Sequence, residues 1–587
     1  MEKDNTFEIG LVMAGAVSAG AYTAGVVDYL LEALQHYAKV RDRFSMEHPG
    51  EALHNVQIRV VSGASAGGMT GAILLSSMLD ETYRPMSGYN PSVVTRPDID
   101  RNIFYKCWVD ASEGIDIRYL LDTEDISGNR PLKSLLNCKR IDYIADAALS
   151  HPRKLQQHDY IPERIDLFMS VFNLAGVPYT IGFQQSSENY GMVNHSDMMH
   201  FVLDTNNTTS FNSNEIPLNE DTSSTLSGNW KVLRQATLAT GAFPVALEPR
   251  YISKDPASYS EWKWWVPQTD TADRCDNDGR CFALKKIAPA WSRQNDSLRS
   301  FLCVDGGVGN NEPLEIARRT LAGKDRFNPR DKNEAHRAIV MIDPFPSEPD
   351  QELQTKDVNL VQMFSYLFAG LKEQARFKPD ELEAAGNPDI FSRFMIAPSR
   401  KGAPRGHEIA SASLGAFGGF LSERFREHDF QLGRKNCQRF LMKHFAIGID
   451  NHLVRNNADW FRQNGCVIRR GKEEFVQVIP MVDLPDNRIT EKIVPIPYDS
   501  VSMHMDELDE IMQLIERRIK KVIKKSYLIE KLVDDLTKDI NLCPVKWFAK
   551  KGLKAMKKYM ASYICSRASG YIRNVIEKDL KKRKLLV

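Results

Sequence analysis

The sequence predicts an α/β fold with a helical C-terminal extension, and three observations predict it. Residues 7–13 and 56–61 have the apolar pattern of strands, and each passes through a glycine-rich turn into an apolar helical stretch. A third strand, residues 301–304, ends in Asp305-Gly306-Gly307. From Asp506 onward Leu508, Ile511, Met512, Ile515 and Ile519 recur at the helical period, with no strand pattern between them.

The first unit runs from Phe7-Glu8-Ile9-Gly10-Leu11-Val12-Met13 into Gly15-Ala16-Val17-Ser18-Ala19-Gly20 and then a helix. A glycine-rich turn there presents backbone N–H groups to an anion, either a phosphate or the oxyanion of an acyl-transfer intermediate. Val17 stands at the second glycine of a dinucleotide fingerprint, and no Gly-Lys-Ser/Thr follows, so both nucleotide motifs are excluded. A tight packing turn is the plain structural alternative.

The second unit is Val60-Val61-Ser62-Gly63-Ala64-Ser65-Ala66-Gly67-Gly68. Its Gly-x-Ser-x-Gly core lies between a strand and a small, apolar, proline-free helical stretch, the context of a nucleophile elbow. Such a turn holds Ser65 at the sheet edge, while Gly63 and Gly67 remove side chains that would clash. The helix N-terminus adds free N–H groups and a positive dipole end.

The middle of the chain is less regular. Residues 80–131 mix polar and helical signals and close in the turn Gly128-Asn129-Arg130-Pro131. A buried strand is predicted at 166–173, a turn at Gly176-Val177-Pro178, and strands at 179–183 and 198–203. Residues 206–229 read as a polar loop, and a helix is predicted over 232–244. Residues 251–300 form an insert with Trp262, Trp264, Trp265 and Trp291, either a lipid-facing edge or, as expected of tryptophan, a buried anchor. Asp273, Asp276 and Asp278 have a calcium loop's composition without its spacing or terminal Glu, so no metal is assigned. Cys275 and Cys281 are close enough in sequence to pair.

In the third unit an aspartate at a strand end, beside glycines that allow close approach, is placed to receive a proton. Asp305-Gly306-Gly307 is also an ordinary turn sequence. Beyond it, a strand is predicted at 337–343 and helix at 358–377. His428 and Asp429 are neighbours expected to point apart on a helix, and a structural role is expected for His428. The 13 histidines include no His-Glu-x-x-His pair.

Composition narrows the classes. Of 587 residues, 42% are hydrophobic and 26% charged, and no uninterrupted apolar run reaches the length of a membrane-spanning helix. Residues 1–5 are polar and no secretory signal pattern follows. Nine cysteines, an odd number, suit reduced thiols and a cytoplasmic location. Net charge is +1, yet residues 541–587 hold thirteen lysines and arginines against Glu577 and Asp579. Within them, the pattern over residues 546–564 predicts a basic amphipathic helix. It either packs on the body with a solvated face or docks on anionic lipid, at about 1 kcal/mol per basic residue. No base-reading motif accompanies it, so no specific nucleic-acid partner is expected.

Acyl transfer accounts for all three glycine turns. Ser65 is the candidate nucleophile, Asp305 the base, and the N–H groups of Gly15, Ala16 and Val17 the oxyanion donors. Without a histidine this is a dyad, and it needs neither metal nor cofactor. The ordered set of Gly15 to Gly20, Gly63-Ala64-Ser65-Ala66-Gly67 and Asp305-Gly306-Gly307, with Ala239-Thr240-Gly241-Ala242-Phe243-Pro244 before the aspartate strand, resembles the patatin-like phospholipase family, in its larger bacterial form with a C-terminal extension. The resemblance covers roughly residues 7–345 and implies a three-layer α/β/α sheet, a Ser–Asp dyad and hydrolysis of lipid esters, phospholipids first. By position it matches Ser65 to the nucleophile, Asp305 to the base, Gly15, Ala16 and Val17 to the oxyanion segment, and Gly20, Gly63, Gly67, Gly306 and Gly307 to the motif glycines.

The first motif departs from the family's Gly-Gly-Gly-x-Arg-Gly, with Ala16 and Val17 at two glycines and Ala19 at the arginine. The expected organisation is a core over 1–345 with an insert at about 184–300, a continuation over 346–500, and a basic helical region over 501–587. Two alternatives stand beside the lipid hydrolase: an esterase or thioesterase on a soluble acyl substrate, and a membrane-surface scaffold with a weakened active site.

Overall fold

The computed structural model describes residues 5–86, 95–127, 131–150, 158–182, 189–205, 210–219, 226–261, 263–268, 274–275, 281–291, 298–325, 327–345, 370, 386–404, 406–485, 487–525 and 565–587. β1 (Thr6–Met13), β2 (Asn55–Gly63) and β3 (Arg164–Gly182) lie side by side and parallel. β4 (Asn189–Asp204) runs antiparallel to β3, and β5 (Ile216–Leu218) pairs with β4. β6 (Arg250–Lys254) and β10 (Arg299–Asp305) form an antiparallel pair that joins β3. Between them in the chain, β7 (Lys263–Gln268), β8 (Arg274–Cys275) and β9 (Cys281–Lys286) make a separate small sheet. β11 (Arg337–Ile342) and β12 (Arg393–Ile396) extend the β1 side in parallel, completing a nine-stranded sheet.

One feature of this register positions the site. β2 pairs with Asp166–Met169 of β3, and β10 pairs with Val171–Asn173, while β4 occupies the other flank. β2 runs with β3 and β10 against it, so their C-terminal ends meet at Ser170.

The sheet is the middle of three layers. Side chains of β1 alternate, as a strand's must. Phe7, Ile9, Leu11 and Met13 enter the main core with α1 (Gly20–Glu47), α2 (Ala66–Met78) and α7 (Gly228–Thr240). Val12 enters the opposite core with Leu314, Ala317 and Leu321 of α8 (Leu314–Ala322). Short helices α3 (Arg96–Arg101), α4 (Ile103–Trp108) and α5 (Ile117–Leu120) and the longer α6 (Lys139–Leu149) cap the main core near the ends of β2 and β10.

α9 (Glu423–Lys443) crosses α1 so closely that a Cβ on Gly25 would fall 2.0 Å from the Phe430 carbonyl oxygen, and one on Gly433 2.2 Å from that of Tyr22. Beside the crossing, buried Arg434 bonds Asp28 and Glu32. α10 (Met505–Lys525) and α11, a helix covering 565–582, form a second core in which Leu508, Ile511 and Met512 meet Ile576, Leu580 and Leu585.

Several sequence expectations are revised. The turn predicted at 176–178 is a bulge within one 19-residue strand. The Asn173 side-chain carbonyl accepts the N–H groups of Ala175 and Gly176, and Gly176 sits at φ 72°, so the chain steps out and rejoins β4. The loop predicted at 206–229 contains β5. The helix predicted over 232–244, stopping at Gly241-Ala242-Phe243-Pro244, is α7, which begins earlier, at Gly228, and ends at Thr240 with Gly241 at its C-cap. His428 and Asp429 do not point apart: both are fully buried, and His428 Nδ1 lies 2.8 Å from Asp429 Oδ1.

Trp264 packs edge-on to Tyr179 at 5.6 Å and Trp291 packs against Tyr259 and Phe301, so these two anchor the insert. The backbone register sets Cys275 opposite Cys281. Their side chains, those of Trp262 and Trp265, Asp273, Asp276 and Asp278, the helix predicted at 358–377 apart from residue 370, and the helix predicted at 546–564 lie outside the described residues.

Candidate active site

Ser65 follows the last residue of β2 by two positions and stands at the N-terminal boundary of α2, its hydroxyl making no capping bond. Its backbone stands at φ 51°, ψ −127°, a conformation that strains any residue bearing a Cβ. A Cβ on Gly67 would fall 2.2 Å from the Met13 carbonyl oxygen, so the elbow is wedged against the end of β1 and no larger residue fits. The Ser65 N–H donates to Thr240 Oγ1 at 3.0 Å, and the Thr240 hydroxyl donates to the Ser170 carbonyl at 2.7 Å. Fully buried Thr240 thereby ties the strained elbow to the point on β3 where two strand ends converge.

Asp305 is the last residue of β10. Its N–H donates to the Ala242 carbonyl at 2.9 Å, and its Oδ1 accepts the Gly307 N–H at 2.7 Å. Oδ2 accepts the Ser65 hydroxyl at 2.6 Å. Ser65 and Asp305 are 6% and 4% exposed, so the pair is shielded from bulk water.

The Gly15–Gly20 loop completes the constellation. A Cβ on Gly15 would lie 3.1 Å from Ser65 Cβ and 2.4 Å from Asn311 Oδ1, and one on Gly307 would lie 2.7 Å from the same Asn311 oxygen. Asn311 is therefore the spacer between the first and third turns, held by its donation to Glu312 Oε1 at 2.5 Å. The Gly15 N–H is spent on the Asn311 carbonyl at 3.2 Å. Among the described residues no acceptor takes the N–H of Ala16 or Val17. Those two remain available to an oxyanion, and Gly15 serves the close approach instead. Gly63, Gly20 and Gly306 likewise sit where a Cβ would meet the Gly67 backbone, the Trp108 ring and the Ser170 carbonyl.

Val17, Ser65 and Asp305 open into a cleft of about 1010 Å³, its open mouth included. Met69, Ile73, Ile141, Ile144, Leu149 and Leu238 are among its walls. Two other charged residues line it, and both are paired: Glu248 with Lys133 and Arg250 with Asp142. The interior is thus fit for hydrocarbon.

The sequence matches the profile of the family described as patatin-like phospholipase over residues 11–318. The chain belongs to the patatin-like phospholipase family. It is a hydrolase of ester bonds, of the lipid acyl-hydrolase type. An uncharacterized protein, y4iI, of Sinorhizobium fredii is 34% identical over 518 residues, covering 81% of this chain and 71% of that one.

Set against the family motif, this patatin-like chain carries Ala16 and Val17 at two glycines and Ala19 at the arginine. Val17 adopts φ 48°, where a β-branched residue is strained and glycine is not. Sequence reasoning missed Thr240 and Asn311; Thr240 lies inside the segment that resembles the family's, but nothing in the sequence shows that its hydroxyl reaches Ser65. His428 does not line the cleft.

Asp166, His200 and Glu215 bring one ligand atom each within 4.8 Å of one another. Arg164 donates to Asp166 at 2.6 Å and to Glu215 at 2.9 Å, so a fixed cation already serves both carboxylates. Burial pushes the Asp166 carboxyl up, but hydrogen bonds from His200 and Arg164 and their charges bring it down to about 2. Among the described residues no helix is long and apolar enough to cross a membrane.

Proposed function

We propose that Ser65 and Asp305 are a catalytic dyad that hydrolyses the acyl esters of phospholipids. The observation that carries this reading is the 2.6 Å hydrogen bond from Ser65 Oγ to Asp305 Oδ2 at the end of an apolar cleft. Asp305 takes the hydroxyl proton as Oγ attacks the ester carbonyl. Negative charge forms on the carbonyl oxygen and meets the N–H groups of Ala16 and Val17, each such donor being worth about 3 kcal/mol. Collapse of the intermediate returns the proton to the leaving alkoxide. Water then gives a proton to Asp305 as its oxygen bonds the acyl carbon, and the Oγ–acyl bond breaks as that proton passes to Ser65 Oγ, releasing the fatty acid and restoring the dyad. The apolar walls of the cleft, Met69, Ile73, Ile141, Ile144, Leu149 and Leu238 among them, favour an acyl chain over a small polar ester. The cationic excess of residues 541–587 supports peripheral binding to anionic bilayers.

The test is fatty-acid release from phospholipid vesicles, with and without anionic lipid, by wild type, Ser65→Ala and Asp305→Asn. Wild-type release and a fall of about 10³-fold or more in both variants are expected. Turnover of short esters alone would discard the phospholipid and keep the dyad. Equal rates in wild type and variants would discard the dyad.

A further inference from the structure

The first glycine loop is held by chain from beyond residue 400. Fully buried Ser18 donates its hydroxyl to the Ala416 carbonyl at 2.5 Å and accepts the Gly419 N–H at 3.0 Å. A Cβ on Gly419 would fall 2.7 Å from Ser18 Oγ, so the two segments are in close contact. Ala19, the next residue, offers no polar side chain to hold the loop.

The partner segment, residues 409–420, is itself fixed from several sides. The Asp429 carboxylate accepts the N–H groups of Ala410 and Ser411, both at 2.8 Å. Fully buried Arg426 donates to the Gly419 carbonyl at 2.6 Å and to the Val109 carbonyl at 3.0 Å and 3.2 Å. From α11, Asp579 accepts the Leu414 N–H at 2.7 Å. Leu414, Gly415 and Ala416 stand at φ 55°, 61° and 78°, three successive left-handed residues. That backbone aims the Ala416 carbonyl at Ser18 and persists because its surroundings dictate it. The same segment reaches the cleft, where Phe417 packs edge-on to Phe243 at 5.3 Å.

We propose that residues 409–420 form a strap that positions the oxyanion-receiving loop, with Ser18 as the positioning residue that links the two. Ser18 directly follows Val17, whose backbone at φ 48° relaxes to the ordinary region unless its neighbour is held. Such a rotation would turn the Ala16–Val17 peptides and take their N–H groups away from the developing charge. The C-terminal extension is then part of the active site although none of its residues need touch the reacting atoms. This inference rests on the dyad reading above.

The test compares full-length wild type with Ser18→Ala. It measures ester turnover, inhibition by a long-chain trifluoromethyl ketone, which becomes a tetrahedral oxyanion on Ser65, and binding of the matching fatty acid. The expected result is a fall of about tenfold or more in kcat with KM within about twofold. Ketone affinity falls by the same factor, and fatty-acid binding is unchanged. Asp579→Ala removes the strap's tie to α11, away from the dyad, and is expected to give the same pattern at smaller amplitude. It also serves if Ser18→Ala fails to fold. Unchanged kcat and ketone affinity in the variants would overturn the strap and leave the dyad standing. Parallel loss of kcat, ketone and fatty-acid affinity would reduce Ser18 to a general packing role and overturn it too. A wild type that neither cleaves esters nor binds the ketone would overturn the dyad reading first.

Discussion

Ser65 holds an unfavourable backbone because three contacts fix it: Gly67 against Met13, the Thr240 hydroxyl on its N–H, and Asp305 on its own hydroxyl. The middle contact is the most easily isolated. Thr240→Val keeps the shape and removes the acceptor, leaving a buried N–H and a buried carbonyl without their partner, at about 1–3 kcal/mol. Part of that cost falls on the elbow's alignment. Turnover of Thr240→Val is expected to drop about tenfold, with KM little changed, and Thr240→Ser to restore most of it. Steady-state kinetics on one ester substrate decide this. A valine variant as active as wild type would mean that the strand register alone aligns the nucleophile.

At the scale of elements, the α1–α9 crossing attaches the C-terminal part to the sheet. Gly25 and Gly433 let the two backbones come together, and Arg434 bonds both Asp28 and Glu32 in the resulting interior. A methyl group on Gly433 meets the Tyr22 carbonyl oxygen at 2.2 Å, and backbone cannot swing aside as a side chain can. Gly433→Ala is therefore expected to destabilise by more than about 2 kcal/mol, despite alanine's better helix propensity of about 1 kcal/mol. Denaturant unfolding reads the balance. An alanine variant at least as stable as wild type would show that the helices can separate without loss.

For the whole molecule, pH acts through a residue that joins distant parts of the chain. His54 precedes β2, and its Nε2 meets the Val478 carbonyl at 2.8 Å. Burial lowers its pKa to about 4, against about 6.5 in the unfolded chain. The unfolded state thus binds more protons between those values. The stability His54 contributes is complete above about pH 6.5 and is lost as pH falls toward 4, about 3 kcal/mol in all. Unfolding free energy measured at pH 7 and pH 4.5 should fall more steeply for wild type than for His54→Gln. Equal slopes would assign the acid limb to other groups. The C-terminal end is integrated in the same sense. Leu580, Leu585 and Leu586 are buried, and Met503 pairs with Leu586, so removing residues 565–587 would uncover the apolar face of α10 as well as delete charge.

The α/β class and the three glycine turns were legible in sequence because strands, tight turns and elbows impose local constraints on residue type. Ser65 and Asp305 were legible because each sits at the end of such a pattern. The meeting of β2 and β10 at Ser170, the Thr240 hydroxyl on the Ser65 N–H and the Asn311 spacer were not, because they depend on strand register between segments over a hundred residues apart. The same holds for Gly15, whose N–H the sequence offered to an oxyanion and the fold gives to Asn311. The bulge at Asn173 was misread as a turn because glycine and proline signal both, and only pairing with β4 tells them apart. Local sequence determined where the strands, the glycine turns and the candidate groups Ser65 and Asp305 lie. Tertiary structure decided which of them meet, since hydrogen bonds between remote segments exist only once the sheet has fixed its register.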